Sequence, residues 1–338
     1  MDVAEAQKKK SPPKSALRTV FESLWATPDG RTSLIGLAAA AALITTLYWE
    51  NLKHFTFVWS NDDNYSHGWL VAPLSLYFAN HAAERRLRRS GANAPTADSG
   101  GLRLGALLIA AGLAGRLITV FLPIGLIADS SMILTLAGAV SLVFGSRTLR
   151  TYAFPIAFLV FMIPLPVALY TMLANPLQMI VSRVAAGVMT ACGIPVLCEG
   201  NMLTLPGDIR MFVAEACSGM RQLTGFLALT AAVAYLSGKP AWYRVVLVAS
   251  AVPVAMVANI ARVIVTGLIM YYVDPNYAQG AWHTVEGMVL MLGGLAILQF
   301  EMVVLNALTD VISTGGVTKT HETESVDASR SVVQGARV

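Results

Sequence analysis

Charge is the scarcest feature of this sequence: Asp, Glu, Lys and Arg make up 13% of its 338 residues, whereas 55% are hydrophobic. A soluble domain of this length would need far more charge to cover its surface. The apolar residues also come in long uninterrupted runs rather than in short amphipathic stripes. The shortage of charge therefore argues against a soluble protein and predicts several membrane-spanning helices.

Internal repeats, low-complexity tracts and a small-residue cleavage site after the first apolar run are also missing. We therefore expect the first apolar run to be retained rather than removed as a signal peptide. The net charge of +4 does not indicate nucleic-acid binding, because the basic residues cluster between apolar runs, where they report topology.

The apolar segments that the sequence does contain predict an all-α polytopic membrane protein with about eight transmembrane helices. The predicted spans are 33–49, 68–83, 104–122, 126–144, 152–166, 217–236, 245–271 and 285–305. Basic residues precede the first span and follow the second, fourth and sixth spans. Since positive loops stay in the cytoplasm, we expect an inner-membrane protein with both termini in the cytoplasm.

Residues 167–200 do not fit this simple alternation, since a crossing there would reverse the side of every later basic loop. We therefore predict an extracytoplasmic helix over 174–191 that lies at the membrane interface. Strand-like alternation follows it, with turn signals at residues 199–201 and 206–208. This pattern predicts a short extracytoplasmic hairpin that leads directly into the sixth helix.

The stretch EACSGMR, residues 215–221, opens that sixth helix with unusual polarity. A thiol at a helix amino terminus is favoured as thiolate by the helix dipole. Arg221 lies four residues after Cys217 and shares its helical face. Gly219 would let a peptide backbone approach closely. Cys217 is thus a candidate nucleophile, and an inert buried cysteine is the alternative.

Arg262 lies within the seventh span, where an arginine is costly unless it finds a partner or water. Asn259 is three residues before it and Thr266 four after it, so one face of this helix is expected to be polar. Arg262 is therefore a functional candidate, with a structural clamp between helices as the alternative. Arg116 in the third span is a weaker case, because it can snorkel towards an interface.

His283, in the stretch GAWHTVEG, opens the eighth helix at the same outer boundary as Cys217 and Arg262 in this topology. A lone histidine beside Trp282 is an ordinary interfacial residue. Together, however, a thiol, an imidazole and a guanidinium supply a nucleophile, a proton carrier and an oxyanion donor, which is the minimum for acyl transfer from a peptide. His67 also lies on the outer side and opens the second helix.

The other two cysteines, Cys192 and Cys198, also lie outside in this topology. They form either a disulfide in an oxidising compartment or two unpaired bystanders. In the first case Cys217 is the odd thiol left over. The polar residues around His67 are too loosely spaced to favour a metal site, and we expect neither a metal nor a cofactor.

With these residues in view, the chain resembles the exosortase/archaeosortase family of polytopic membrane cysteine transpeptidases. The matching stretches, in the family's order from about residue 65 to 290, are YSHGWLVAPLSLY, IPLPVALYTMLANPLQ, GIPVLCEGNMLTLPG, EACSGMRQL, ANIARVIVTG and WHTVEG. The resemblance implies a catalytic set of Cys217, Arg262 and His283. The candidate substrate-binding residues lie in matching stretches as well: Arg221, His67 and Asn259.

The resemblance also implies a reaction. Family members recognise the carboxy-terminal sorting signal of exported proteins: a short motif that often contains Pro-Glu-Pro, then a transmembrane helix and a basic tail. Cleavage between motif and helix through a cysteine thioester would pass the acyl group to a cell-surface acceptor, with an exopolysaccharide or a lipid as the candidates. The expected partners are therefore these exported proteins and membrane lipids, and the active site is expected to face the periplasm or exterior.

The domain arrangement that we expect has three parts. Residues 1–32 form a basic cytoplasmic tail, residues 33–309 an exosortase-type transmembrane domain, and residues 310–338 a disordered cytoplasmic tail. A non-enzymatic alternative is a polysaccharide-associated transporter or scaffold whose intramembrane arginines bind an anionic lipid carrier. A transporter has no need of a thiol at Cys217, so that residue separates the two hypotheses. Hydrolysis without transfer is a third interpretation, since water and an amine attack the same thioester.

Overall fold

The computed structural model describes residues 15–90, 98–213, 220–274, 288–289 and 292–310. The chain divides into two compact units, Met1–Met172 and Leu173–Val338. The helices of the first unit are α1 (Ala16–Trp25), α2 (Pro28–Leu47), α3 (Trp49–Asn61), α4 (Gly68–Ser90), α5 (Ser99–Phe121), α6 (Gly125–Phe144) and α7 (Ser146–Phe158), with a 3-10 turn at Leu159–Met162. The remaining helices are α8 (Val167–Ala191), which begins in the first unit, α9 (Met220–Leu236), α10 (Ala241–Tyr272) and α11 (Leu292–Asp310).

Five helices in the described part of the chain are long and apolar enough to cross a membrane: α2, α5, α6, α10 and α11. The number is six if α7 with its 3-10 turn and α8 are counted as one broken span. These two segments meet at an angle of 83°. The prediction of an all-α polytopic membrane protein is thus confirmed, while the count of eight is not. Three predicted spans are not among these five. The helix α4 carries arginines in its last turn, α7 has 13 residues, and α9 has 17 described residues.

The first unit is held together by a close contact between α5 and α6. Glycines on each helix face the backbone of the other. A Cβ on Gly105 would meet the Leu142 nitrogen at 2.7 Å, and a Cβ on Gly138 would meet the Ile109 nitrogen at 2.8 Å. Small residues of this kind let membrane helices approach closely enough for van der Waals contact to stabilise them.

Side-chain caps fix where two of the spans begin. Thr27 accepts a hydrogen bond from the Gly30 backbone N–H through Oγ1 at 3.1 Å, and so starts α2. Asp98 accepts from the Gly101 N–H at the start of α5 and from Ser146 Oγ, at 3.1 Å, at the start of α7. The hydrogen bonds from backbone N–H groups hold the pKa of the Asp98 carboxyl below its usual range.

The second unit contains a three-stranded antiparallel sheet in the order β1 (Leu197–Glu199), β2 (Met202–Leu205) and β3 (Ile209–Phe212). The predicted hairpin is therefore present, extended by one strand into a three-stranded meander. Its two turns use the positive backbone φ of Gly200 (66°) and Gly207 (83°), a conformation that glycine adopts readily.

The inner face of this sheet packs onto α8 and α10. One apolar cluster joins Leu203, Leu205 and Met211 of the strands to Met189 of α8 and Val263 of α10. The predicted helix over 174–191 is the main part of α8, which begins earlier, at Val167. The sheet is thus rigidly attached to the helix that carries Arg262.

Candidate active site

The polar face predicted for the seventh span is present on α10 and is buried. Asn259, Arg262 and Thr266 are 1%, 7% and 5% exposed. Their spacing of three and four residues aligns them on one side of the helix. Thr266 donates from Oγ1 to the Arg262 carbonyl oxygen at 2.9 Å, so the hydroxyl is satisfied within its own helix.

Apolar packing on both sides of Arg262 fixes its position. Towards the amino end of α10, Ala255 and Ala258 pack against Phe226 of α9. Towards its carboxy end, Val263 belongs to the cluster shared with the sheet. A guanidinium stays charged at any physiological pH and presents five N–H donors in a rigid fork. The arrangement therefore holds a permanent positive charge in a buried position on a well-packed helix.

A cleft lies about one helical turn from Arg262. It is shallow and open to the surroundings, and its walls come from α8, α9 and α10, with Leu177, Leu223 and Met256 among them. Asn259 is the polar residue of this lining. The cleft is therefore a shallow apolar depression with an amide beside it.

The end of β3 is anchored by hydrogen bonds that the sequence patterns did not reveal. Val213 donates its backbone N–H to the Asn201 carbonyl oxygen at 2.8 Å. The side chain of Asn201 in turn donates from Nδ2 to Oε1 of the buried Gln178 on α8, at 3.3 Å. The strand thus ends at a defined point, directly before the stretch EACSGMR. A glutamine inside an apolar helix was the available signal for this contact.

Two members of the predicted catalytic set, Cys217 and His283, lie outside the described residues. Arg262 is described and buried, as stated above. Arg221 is exposed in the first turn of α9, where Thr224 Oγ1 donates to its carbonyl oxygen at 3.2 Å. The structure thus brings Arg262 and Asn259 together on α10, and the roles assigned to all these residues stay predictions.

His67 lies in the first unit, directly before α4, and contacts the main chain of the segment after α7. Its Nε2 donates to the Phe161 carbonyl oxygen at 3.1 Å. Burial lowers the pKa of His67 and outweighs the opposite effect of backbone hydrogen bonds to Phe161 and Asn64. Tyr65 accepts the Leu165 N–H at 3.2 Å in the same region. His67 therefore helps to fasten this segment, and its predicted contact with substrate stays a prediction.

The first unit also holds a buried polar cluster of which sequence reasoning had noticed only Arg116. Asn51 donates from Nδ2 to Oδ1 of Asp129, which is 4% exposed, at 2.7 Å. The hydroxyl of Tyr48 lies 3.0 Å from Thr135 Oγ1. The Arg116 guanidinium stacks over the Tyr48 ring, 5.7 Å from its centroid. The carboxylate of Asp129 inside an apolar run was the sequence signal for this cluster.

The two described cysteines, Cys192 and Cys198, are not joined by a disulfide. Cys198 contacts the Gly200 carbonyl oxygen instead, at 3.7 Å from Sγ. Of the two alternatives for this pair, the structure therefore has the unpaired cysteines.

Comparison with known families gives one result, and it covers most of the described helices. The family model described as transmembrane exosortase matches residues 59–300. That range runs from the end of α3 into α11 and includes α10 with its buried arginine. No curated protein and no solved structure matches the chain.

Proposed function

Because the chain belongs to the transmembrane exosortase family, we propose that it is a membrane cysteine transpeptidase. Its substrates are exported proteins that end in a sorting motif, a transmembrane helix and a basic tail. It cleaves between motif and helix on the outer side of the inner membrane. The product is transferred to a cell-surface acceptor, an exopolysaccharide or a lipid.

The observation that carries this proposal is the buried, packed position of Arg262 on α10. Attack on a peptide carbonyl creates a negatively charged oxygen, and a fixed donor in a site of low dielectric stabilises that charge strongly. A guanidinium held by packing needs no reorganisation when the charge develops. The adjacent Asn259 and the apolar cleft support the binding of a chain that is partly apolar.

The reaction has two halves. The thiolate of Cys217 attacks the carbonyl carbon of the scissile peptide, and Arg262 stabilises the oxyanion. The C–N bond then breaks, His283 gives a proton to the departing amine of the transmembrane helix, and a thioester remains on Cys217. In the second half His283 removes a proton from the acceptor, which attacks the thioester carbonyl and releases the thiolate.

The test is the processing of a tagged reporter that carries a motif, a transmembrane helix and a basic tail. Wild type is compared with Cys217→Ala and with the control Cys192→Ala, which changes an exposed cysteine. We expect processing to stop only in Cys217→Ala. Mass spectrometry of the new carboxy terminus of the wild-type product then identifies the added group.

Other outcomes would point elsewhere. A bare carboxylate on the product in the presence of the acceptor would make the protein a hydrolase. Unchanged processing in Cys217→Ala would remove the nucleophile from the proposal. It would favour the transporter or scaffold that binds an anionic lipid carrier, since such a protein needs Arg262 but no thiol.

A further inference from the structure

The register of the sheet decides which main-chain groups of β3 remain available. Val213 donates its N–H to the Asn201 carbonyl, so these two residues form a hydrogen-bonded pair. In an antiparallel ladder such pairs alternate with pairs that are not hydrogen bonded. The pairs Leu203↔Met211 and Leu205↔Ile209 therefore carry the bonds between β2 and β3.

The remaining residues of β3, Arg210 and Phe212, direct their main-chain N–H and C=O groups to the other side, away from β2. Among the described residues β3 is the last strand of the sheet, so this side is an edge there. Within the described part of the chain, no backbone hydrogen bond occupies these four groups. Two residues of one strand, about 7 Å apart, thus present two donors and two acceptors in the spacing of an extended peptide.

We infer that this edge of β3 binds the sorting motif of the substrate as an added strand. The inference rests on the proposed function, because it names where the peptide on the amino side of the scissile bond is held. Edge strands commonly bind extended peptides in this way, with main-chain hydrogen bonds for affinity and alternate side chains for specificity.

The position of β3 in the chain favours it over the opposite edge, β1. Phe212 is followed after four residues by Cys217, and an extended chain of that length reaches at most about 18 Å. A motif paired with β3 therefore lies within reach of the proposed nucleophile. The strand β1 is separated from β3 by β2, and the chain after it turns into β2 rather than towards Cys217 and α9.

Burial of the sheet also favours a preformed binding edge. Met211 points into the cluster with α8 and α10, which fixes β3 against the helices. On the outer face Phe212 is 61% exposed and pairs across the sheet with Met202. An exposed phenyl beside free main-chain groups offers an apolar contact to one side chain of the added peptide.

The first experiment uses proline, which removes an N–H and adds a ring at the edge. Arg210→Pro is compared with Arg210→Ala. Both variants remove the arginine side chain, so they differ in the main-chain N–H and in the proline ring. Because the Arg210 N–H lies outside the β2–β3 ladder, the strand tolerates the change as edge strands do. We expect Arg210→Pro to lower kcat/KM for the reporter about tenfold or more below Arg210→Ala.

The matched control is Cys198→Pro on the opposite edge. Cys198 pairs with Leu203, whose hydrogen bonds go to β3, so the Cys198 main chain also points away from the sheet. Since the Cys198 side chain packs against the apolar cluster, this variant is compared with Cys198→Ala. We expect the two to differ by less than about threefold, which is less than the free energy of one hydrogen bond. Equal activities of Arg210→Pro and Arg210→Ala would overturn the inference while leaving the proposed function intact.

A second experiment needs no catalysis and so separates the two proposals. A photoreactive residue is introduced as Phe212→p-benzoylphenylalanine in a Cys217→Ala background, with Leu197→p-benzoylphenylalanine as the control. Leu197 on β1 is 59% exposed, which matches Phe212. We expect cross-links to the motif of the uncleaved reporter from position 212 alone. No cross-link from 212, or equal cross-linking from 197, would overturn the inference whether or not wild type processes the reporter.

Discussion

The two units each bury an arginine-containing polar group, but they surround the arginine differently. In the first unit Arg116 of α5 lies over Tyr48, and its charge acts on the buried carboxylate of Asp129. In the second unit Arg262 lies on α10, and α8, α9 and α10 contain no Asp or Glu at all. The first cluster thus combines opposite charges within the protein. In the second unit the carboxylate of Glu301, on α11, acts instead on Tyr243, which lies near the start of α10 and far along the helix from Arg262.

This difference separates two uses of polar residues in a membrane protein. Hydrogen bonds between helices distant in sequence, such as Asn51 to Asp129, stabilise helix association. A buried arginine on a helix that carries no carboxylate of its own is instead suited to stabilise an anion that arises during a reaction. We therefore expect mutations of the first cluster to lower stability and mutations of Arg262 to lower activity.

The largest effect should come from Arg262→Gln, which retains a polar side chain but removes the charge and most of the donors. Loss of an oxyanion donor lowers rates by about a hundredfold or more. We expect Arg262→Gln to lower reporter processing by that factor and Arg262→Lys to restore only a small part, because a lysine lacks the planar fork. Initial rates with purified protein in lipid nanodiscs measure this.

Arg116→Gln is the control for that comparison, since it removes the arginine of the other cluster. Its processing rate should stay within about threefold of wild type once equal amounts of folded protein are compared, because its effect falls on stability. If Arg116→Gln and Arg262→Gln lose activity equally, the distinction between a structural and a catalytic arginine is wrong.

The next largest effect should be a loss of folding stability on substitution of Asp129. Asp129→Ala leaves the buried Nδ2 of Asn51 without its acceptor, which costs about 1–3 kcal/mol. Asp129→Asn keeps an acceptor oxygen and removes the charge, so it should cost less. Unfolding in mixed detergent micelles measures both, and a double-mutant cycle with Asn51→Ala should give a coupling of about 0.5–1.5 kcal/mol.

A coupling near zero would contradict the structural interpretation of this cluster. The reporter assay on the same variants sharpens the test. Processing per folded molecule should be unchanged in Asp129→Asn, whereas a loss of activity without a loss of stability would give Asp129 a direct part in the reaction.

Much of the fold could be predicted because it depends on local pattern. Apolar length places α2, α5 and α6 close to where the sequence predicts them, and the turn glycines predict the strands. Helical spacing likewise predicts the shared face of Asn259 and Arg262. The number of spans was harder, because helices such as α4 continue past the apolar run into charged residues.

Pairings between distant residues could not be predicted from one sequence. Asn51 and Asp129 are 78 residues apart in the sequence. Gln178 lies on a helix and Asn201 in a turn between strands, so no repeating pattern relates their positions. Each amide side chain could also pair with other polar residues at a similar distance along the sequence. The choice among them depends on how the helices pack, which no local pattern contains.

A smaller effect is expected where the sheet is anchored to α8. Asn201→Ala removes the hydrogen bond to Gln178 and loosens the end of β3 without touching its main chain. We expect the processing rate to fall about fivefold, which corresponds to the free energy of one hydrogen bond. The loss should appear in kcat rather than in KM. The control Thr204→Ala changes the outer face of the neighbouring strand β2 and should have no effect on kcat. A loss confined to KM would make Asn201 a substrate contact instead.

The smallest effect concerns the pH dependence of the first unit at His67. Burial lowers the pKa of this imidazole in the folded protein, so the unfolded chain binds more protons as the pH falls below the ordinary histidine value. Stability contributed at this position is therefore present above the unfolded pKa of about 6.5 and is lost as the pH falls from there through the lowered pKa of the folded protein. His67→Gln has no such titration and can still donate to the Phe161 carbonyl. Thermal unfolding at pH 7.5 and pH 5.5 should show a smaller decrease for His67→Gln than for wild type. An identical decrease would mean that the pKa of His67 is the same in the folded and unfolded states, which would contradict the effect of burial.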